Sequence, residues 1–159
     1  MSSLIDSIAS LTGKTLADMQ LPVKPDSIDG TREYRSIEVH EFGLRDQDDR
    51  PYIPYILLQP LNGKDSRNKT TRAKESSANV RFVITTYSEN ERDGMLTLTN
   101  IINRLRVALE QAEVIDGKYQ LDELEWLTIP DNTEKYYLAE IMTKWSIPAI
   151  ERRVPELHW

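Results

Sequence analysis

A chain of 159 residues, 39% hydrophobic and 29% charged, has the size and balance of one globular domain, able to bury roughly two thirds of the surface its unfolded form exposes. With no cysteine it can have no disulfide, thiolate metal site or cysteine nucleophile, and its composition fits a reducing cytoplasm. A net charge of −6 and a pI near 5.0 argue against the body as a whole serving as a nucleic-acid surface, which needs clustered Lys and Arg on one face. No window approaches the ~18 apolar residues of a membrane span, and the start MSSLIDSIASLTGK lacks the basic beginning and apolar core of a signal peptide. A soluble chain with no membrane partner is expected.

Leu4, Ile5, Ile8 and Leu11 recur at helical spacing, so a short amphipathic helix is expected, capped by Ser2 or Ser3 and stopped by Gly13. Leu21 to Gly30 carries Pro22, Pro25 and Gly30 and reads as a linker over the surface. Alternation of Ile37, Val39 and Glu41 with Glu38, His40 and Phe42 predicts a half-exposed or edge strand beginning near Tyr34. The acidic stretch Arg45 to Arg50 reads as a hairpin turn into a strand from Tyr52 to Leu58, in which Pro54 favours an edge position or a bulge.

Asn62 to Ser77 (NGKDSRNKTTRAKESS) follows, polar throughout and wedged between two strand-like runs. Lys64, Arg67, Lys69, Arg72 and Lys74 outweigh Asp65 and Glu75, which leaves this segment at +3 and the rest of the chain at −9. A mobile basic arm on an acidic body is expected, ordering when it meets a neighbouring subunit or another partner. The competing reading is a mobile hairpin tip with solvated lysines. Beyond it, Val80, Phe82 and Ile84 line one face of a central strand, and Arg81, Val83 and Tyr87 the other.

A long helix is predicted from about Glu91 to Glu113, with the apolar stripe Leu98, Ile101, Ile102, Leu105 and Leu109 opposite a wet face of Asn100, Asn103, Arg104 and Arg106. Ser88 with Glu91 offers a capping box, and Gly117 lies just past the end. Tyr119, Leu121, Leu124 and Trp126 predict a further strand ahead of a turn from Pro130 to Glu134. Tyr137, Ala139, Ile141, Thr143, Trp145 and Ile147 then alternate through a long closing strand. The expected fold is α+β: a mixed or mostly antiparallel sheet of about five strands in a single domain spanning residues 1–159, with the long helix on one face and a short N-terminal helix.

Signs of catalysis are few. His40 and His158, the two histidines, fall in different elements, and no GxSxG, Walker A or GxGxxG sequence occurs. Asp46, Asp48 and Asp49 lack the glycine and bidentate glutamate of a calcium loop and read as a solvated turn. Glu123 and Glu125 point the same way from a strand; a metal-dependent nuclease or hydrolase accessory could use them, but an exposed strand face explains them more simply. No catalytic residue, metal or cofactor is expected. Trp126, Trp145 and Trp159 gather with Tyr119, Tyr136 and Tyr137 in the last third, where core packing accounts for most of them. Trp159, ending a charged tail, is expected to dock on its own domain or on a neighbour.

The strand ending at Tyr87 and Ser88, the helix of Ile101, Ile102, Leu105 and Leu109, and the closing pattern of Trp145, Ile147, Pro148, Ile150 and Glu151 together resemble the tail-terminator, or tail-completion, proteins of long-tailed bacteriophages. The resemblance covers residues 79 to 152, roughly half the chain. It implies a non-enzymatic virion protein, assembled in the host cytoplasm and ending in the tail or neck. Such a protein forms a six-membered ring of itself on the tail-tube protein, stops tube polymerisation and presents a surface to the head-tail connector protein, with DNA passing transiently through the channel. Another neck or head-closure component, a nucleic-acid-binding regulator and a metal-dependent accessory protein are the alternatives.

Overall fold

The structure, a computed structural model, describes residues 2–25, 33–129 and 135–150. Helix α1 (Ser2–Leu16) leads into a two-stranded antiparallel unit, β1 (Gln20–Val23) and β2 (Glu33–Ser36). Then come β3 (Glu38–Glu41), β4 (Tyr55–Arg67), β5 (Lys74–Tyr87), helix α2 (Glu91–Ala112), β6 (Val114–Ile115), β7 (Tyr119–Thr128) and β8 (Tyr136–Ile147). The last six strands form one sheet in the order β3-β4-β5-β8-β7-β6, antiparallel except where β3 runs parallel to β4. This is the expected α+β architecture, with six strands and an additional two-stranded unit in place of about five strands.

Both helices pack on one face of the sheet. The stripe Leu98, Ile101, Ile102, Leu105 and Leu109 meets Val80, Phe82 and Ile84 of β5 and Ala139, Ile141 and Trp145 of β8, all buried, with Leu4, Ile5, Ile8 and Leu16 of α1 completing the core. The indole N–H of Trp145 is satisfied in this setting: it donates to Thr143 Oγ1 at 2.8 Å, and that hydroxyl donates to the Val80 carbonyl at 2.9 Å. Gly94 lets α2 come close to the sheet, because a Cβ there would stand 2.5 Å from the ring of Tyr137. A smaller cluster of Ile53, Tyr55, Leu57 and Tyr87 sits apart from this main core.

Several local expectations are corrected. Gly13 does not stop α1, which runs to Leu16 because Thr12 and Leu16 continue its buried stripe; burying that leucine outweighs the ~1 kcal/mol cost of a helical glycine. The side chains of Ser2 and Ser3 lie outside the described set. The supposed linker from Leu21 begins as strand β1, while residues 26–32 are not described. The strand expected from Tyr34 divides at buried Ile37 into β2 and β3, which belong to different sheets. Arg45 to Arg50 is no hairpin turn: residues 42–54 cross over, through a 3-10 turn at Arg50–Tyr52, so that β4 starts beside β3 and runs parallel to it. Pro54 precedes β4, joined to Ile53 by a cis peptide bond, and neither kinks the strand nor puts it at an edge.

The cap of α2 is Asn90, whose side chain accepts from the Asp93 N–H at 3.2 Å; Ser88 instead closes the turn before it, bonding both backbone groups of Asn90. Glu91 and Asp93 place negative charge in the first turn, where the helix dipole favours it. Gly117, at φ 66°, serves the β6–β7 turn rather than the helix end. The turn from Pro130 to Glu134 lies outside the described residues.

Candidate interaction surface

The basic segment is built into the strands. β4 and β5 stay paired from Tyr55↔Thr85 to Arg67↔Lys74, with an irregularity between Pro60 and Asn62, so most of Asn62 to Ser77 is the distal half of one long hairpin. Alternation of small and charged residues carries the pairing outward, and Asn68 closes it: its side-chain oxygen accepts from the N–H groups of Thr70 and Thr71 at 2.8 and 3.0 Å. Backbone bonds from Asn68 N to Ala73 O and from Arg72 N to Asn68 O, both 2.8 Å, complete the tip, with Arg72 at φ 63°.

Lys64 and Arg67 project from β4, Lys69 and Arg72 from the tip, and Lys74 from the start of β5, all exposed. Lys74 Nζ donates to the Ile150 carbonyl at 3.1 Å, and none of the five forms an ion pair among the described residues. The structure therefore gathers these candidates at one end of the sheet. Trp159 and His158 lie outside the described residues.

Residues directly opposite in a sheet share a face, so the register assigns each row. Pro60, Val80, Thr143 and Leu124 form a row on the helix-bearing side. The neighbouring rows, Gln59, Arg81, Met142 and Glu125, then Asn62, Asn79, Lys144 and Glu123, stand on the other face. There Arg81 Nε donates to Gln59 Oε1 at 3.0 Å, and its guanidinium lies 3.8 Å from Glu140. Only the base of this face carries the small cluster around Tyr55 and Tyr87; the rest is a polar sheet surface. Its outer strands differ in charge, Lys64 on β4 against Glu123 and Glu125 on β7, with Arg81 of β5 and Lys144 of β8 between them and Lys144 directly opposite Glu123. Alternation along β7 places this glutamate pair on one face, as the sequence implies, while its separation from the hairpin by β5 and β8 is set by strand order.

The other candidates resolve into local roles. Asp48 is gripped by Arg50 at 2.9 Å through two guanidinium nitrogens and accepts its backbone N–H as well, which holds the carboxyl down at about 2. Asp46 and Asp49 accept from the hydroxyls of Tyr52 and Tyr55 at 2.7 and 2.8 Å, so this acidic stretch is tied to the fold. His40 lies edge-on to Tyr52 and Tyr55 and 3.2 Å from Glu38. A cleft of about 660 Å³ between the β1–β2 unit and the start of α2 is lined by Glu33, Tyr34, Ser88, Glu89, Asn90 and Asp93, among others. Among the described residues no three or more His, Cys, Asp or Glu are grouped to hold a metal ion, and no helix is long and apolar enough to cross a membrane. On the wet face of α2, Arg106 stacks on the half-exposed ring of Trp126, 3.7 Å from its centroid.

The fold has a precedent. A chain from the virion of a native gene transfer agent particle shares it at a TM-score of 0.50 over 92% of this chain and 97% of that one, with 12% sequence identity. No protein-family model and no curated protein matches the sequence.

Proposed function

We propose that this chain is a non-enzymatic structural component of a phage-like virion, and that its place is the end of the tail tube, where a ring of copies terminates polymerisation and meets the head connector. The observation that carries this reading is the agreement of fold along nearly the whole of both chains with a component of a gene transfer agent virion. Support also comes from the surface: a sheet helix-covered on one side and polar on the other, with a basic hairpin extending from one end, suits binding between folded surfaces. In a ring, the polar face would suit a channel wall, because its mixed charges offer DNA no continuous basic track.

Electron microscopy of the purified protein, alongside tails assembled with and without it, tests the proposal. Rings, together with tubes that overrun their normal length when the protein is missing, are expected. Tubes of normal length that fail to join heads would shift the role to head closure or another neck component. Turnover of a nucleic-acid substrate by purified protein would overturn the structural reading.

A further inference from the structure

The two flanks of the sheet are open over part of their length. β3 pairs with β4 only from Tyr55 to Leu58, with one more bond from Phe42 N to Leu58 O, so no described strand covers the outer edge of β4 from Gln59 to Arg67. On the far side β6 pairs with β7 only at Tyr119 and Gln120, and Leu121 N reaches Glu113 O, so Asp122 to Thr128 is likewise uncovered by any described strand. Such edges present unpaired N–H and C=O groups that template a further strand.

The edges differ in charge. The β4 edge and its tip carry Lys64, Arg67, Lys69, Arg72 and Lys74 against Asp65 and Glu75; the open part of β7 carries Asp122, Glu123 and Glu125 and no cation. None of the three β7 acids is in an ion pair among the described residues. Lys64 shares its row with Ser77 and Ser146, which puts it on the same sheet face as Glu123 and Glu125. Exposed apolar side chains accompany both edges: Leu61 on β4, Trp126 and Leu127 on β7. Strand direction also matches. β4 and β8 run one way and β5 and β7 the other, so a second copy set beside the first in the same orientation brings its β7 antiparallel to β4.

We infer that copies of this chain join head to tail by sheet continuation, the distal half of β4 in one copy pairing with the open edge of β7 in the next. Edge charges ordinarily block strand addition. Here they repel β4 from β4 and β7 from β7 while attracting β4 to β7, so they select this one contact. Because the two surfaces differ, the contact is heterologous and closes into a ring when the rotation between copies permits. The inference names the joint of the ring proposed above and rests on that reading for closure.

Two charge-reversed proteins test it, Lys64→Glu/Arg67→Glu and Glu123→Lys/Glu125→Lys, with mass measured by light scattering and shape by electron microscopy. Each alone should associate at least ~tenfold more weakly than the unaltered protein, whose own association should weaken with added salt. An equimolar mixture should recover assembly, because each protein then carries the edge its neighbour needs. Oligomers of unaltered size in both variants would overturn the joint and leave the ring reading standing; so would folded variants whose mixture stays dissociated. An unaltered protein that remains monomeric at high concentration would overturn both. Should a reversal lose its fold by circular dichroism, Lys64→Gln/Arg67→Gln and Glu123→Gln/Glu125→Gln take its place. Their assembly should be weakened and nearly insensitive to salt, and an unchanged salt response would overturn the joint.

Discussion

The two halves of the β4–β5 hairpin are held by different forces. At the base, Tyr55 to Leu58 and Phe82 to Tyr87 belong to the buried core and the tyrosine cluster, with β3 on one flank and β8 on the other. From Pro60 to Arg67, β4 is exposed throughout, and its inner edge alone is paired. The same two strands thus pass from a region whose stability comes from apolar burial to one that rests on backbone bonds, a side-chain-tied turn and the neighbouring β8. The base fixes the fold; the distal half carries the basic charge on which the proposed contact depends.

That contrast can be broken most strongly at Phe82, fully buried at the level of Leu58 and Ile141. Phe82→Ala should cost about 3–5 kcal/mol in chemical denaturation. If the loss were under 1 kcal/mol, the base would not be the source of stability. Gly94→Ala should cost about 1–3 kcal/mol, because the new methyl meets the Tyr137 ring and α2 must shift on the sheet; a Tyr137→Leu background should recover part of it.

Alkaline titration sharpens the comparison further. Burial pushes the Tyr55 and Tyr87 hydroxyls up to about 12 from an ordinary value of 10, with the carboxylates of Asp49 and Glu89 adding to the shift. A raised value means that the folded state favours the neutral phenol. This contribution is therefore complete below pH 10 and disappears as pH climbs from 10 to 12. The part of the tyrosinate absorbance that belongs to Tyr55 and Tyr87 should rise late and together with loss of structure, and Tyr55→Phe should reduce that alkaline sensitivity. The smallest effect belongs to the tip, where Asn68→Ala removes two turn bonds and should cost only about 0.5–1 kcal/mol. Hydrogen exchange should speed up around Thr70 and Thr71 and stay unchanged at Phe82.

Where secondary structure was set by local pattern, it could be read directly. β8 shows its alternation through twelve residues, and α2 its stripe, because each buries one side against a continuous apolar surface. Features set by partners distant in sequence were hidden. Gly13 looked like a stop because polar Thr12 interrupts the apolar stripe that Leu16 resumes at helical spacing, and the parallel placement of β3 depends on a crossover no periodicity encodes. The polar hairpin looked like an insert because hydrophobicity marks buried strands, whereas pairing between Asn62 and Ser77 is sustained by registry with β8 and by Asn68. The basic residues of the surface were visible as a cluster. Its acidic counterpart was visible only as two glutamates, since their distance from the hairpin, across β5 and β8, is a property of strand order.

The shortness of β3 and β6 has a geometric consequence. β3 blocks the base end of β4 and β6 the opposite end of β7, so the open stretches are offset: Gln59 lies level with Glu125 through Arg81 and Met142. Bringing the centres of the two stretches together in the proposed contact requires a neighbouring subunit to slide about three residues along the regular strands β5 and β8, from the level of Arg81 to that of Ala78, or roughly 10 Å at the rise of an extended strand. Repeated around a closed circle, such a shear leans every strand away from the symmetry axis, as in a barrel. In the proposed ring, the two shortest strands of the six-stranded sheet would then set the pitch of its inner wall.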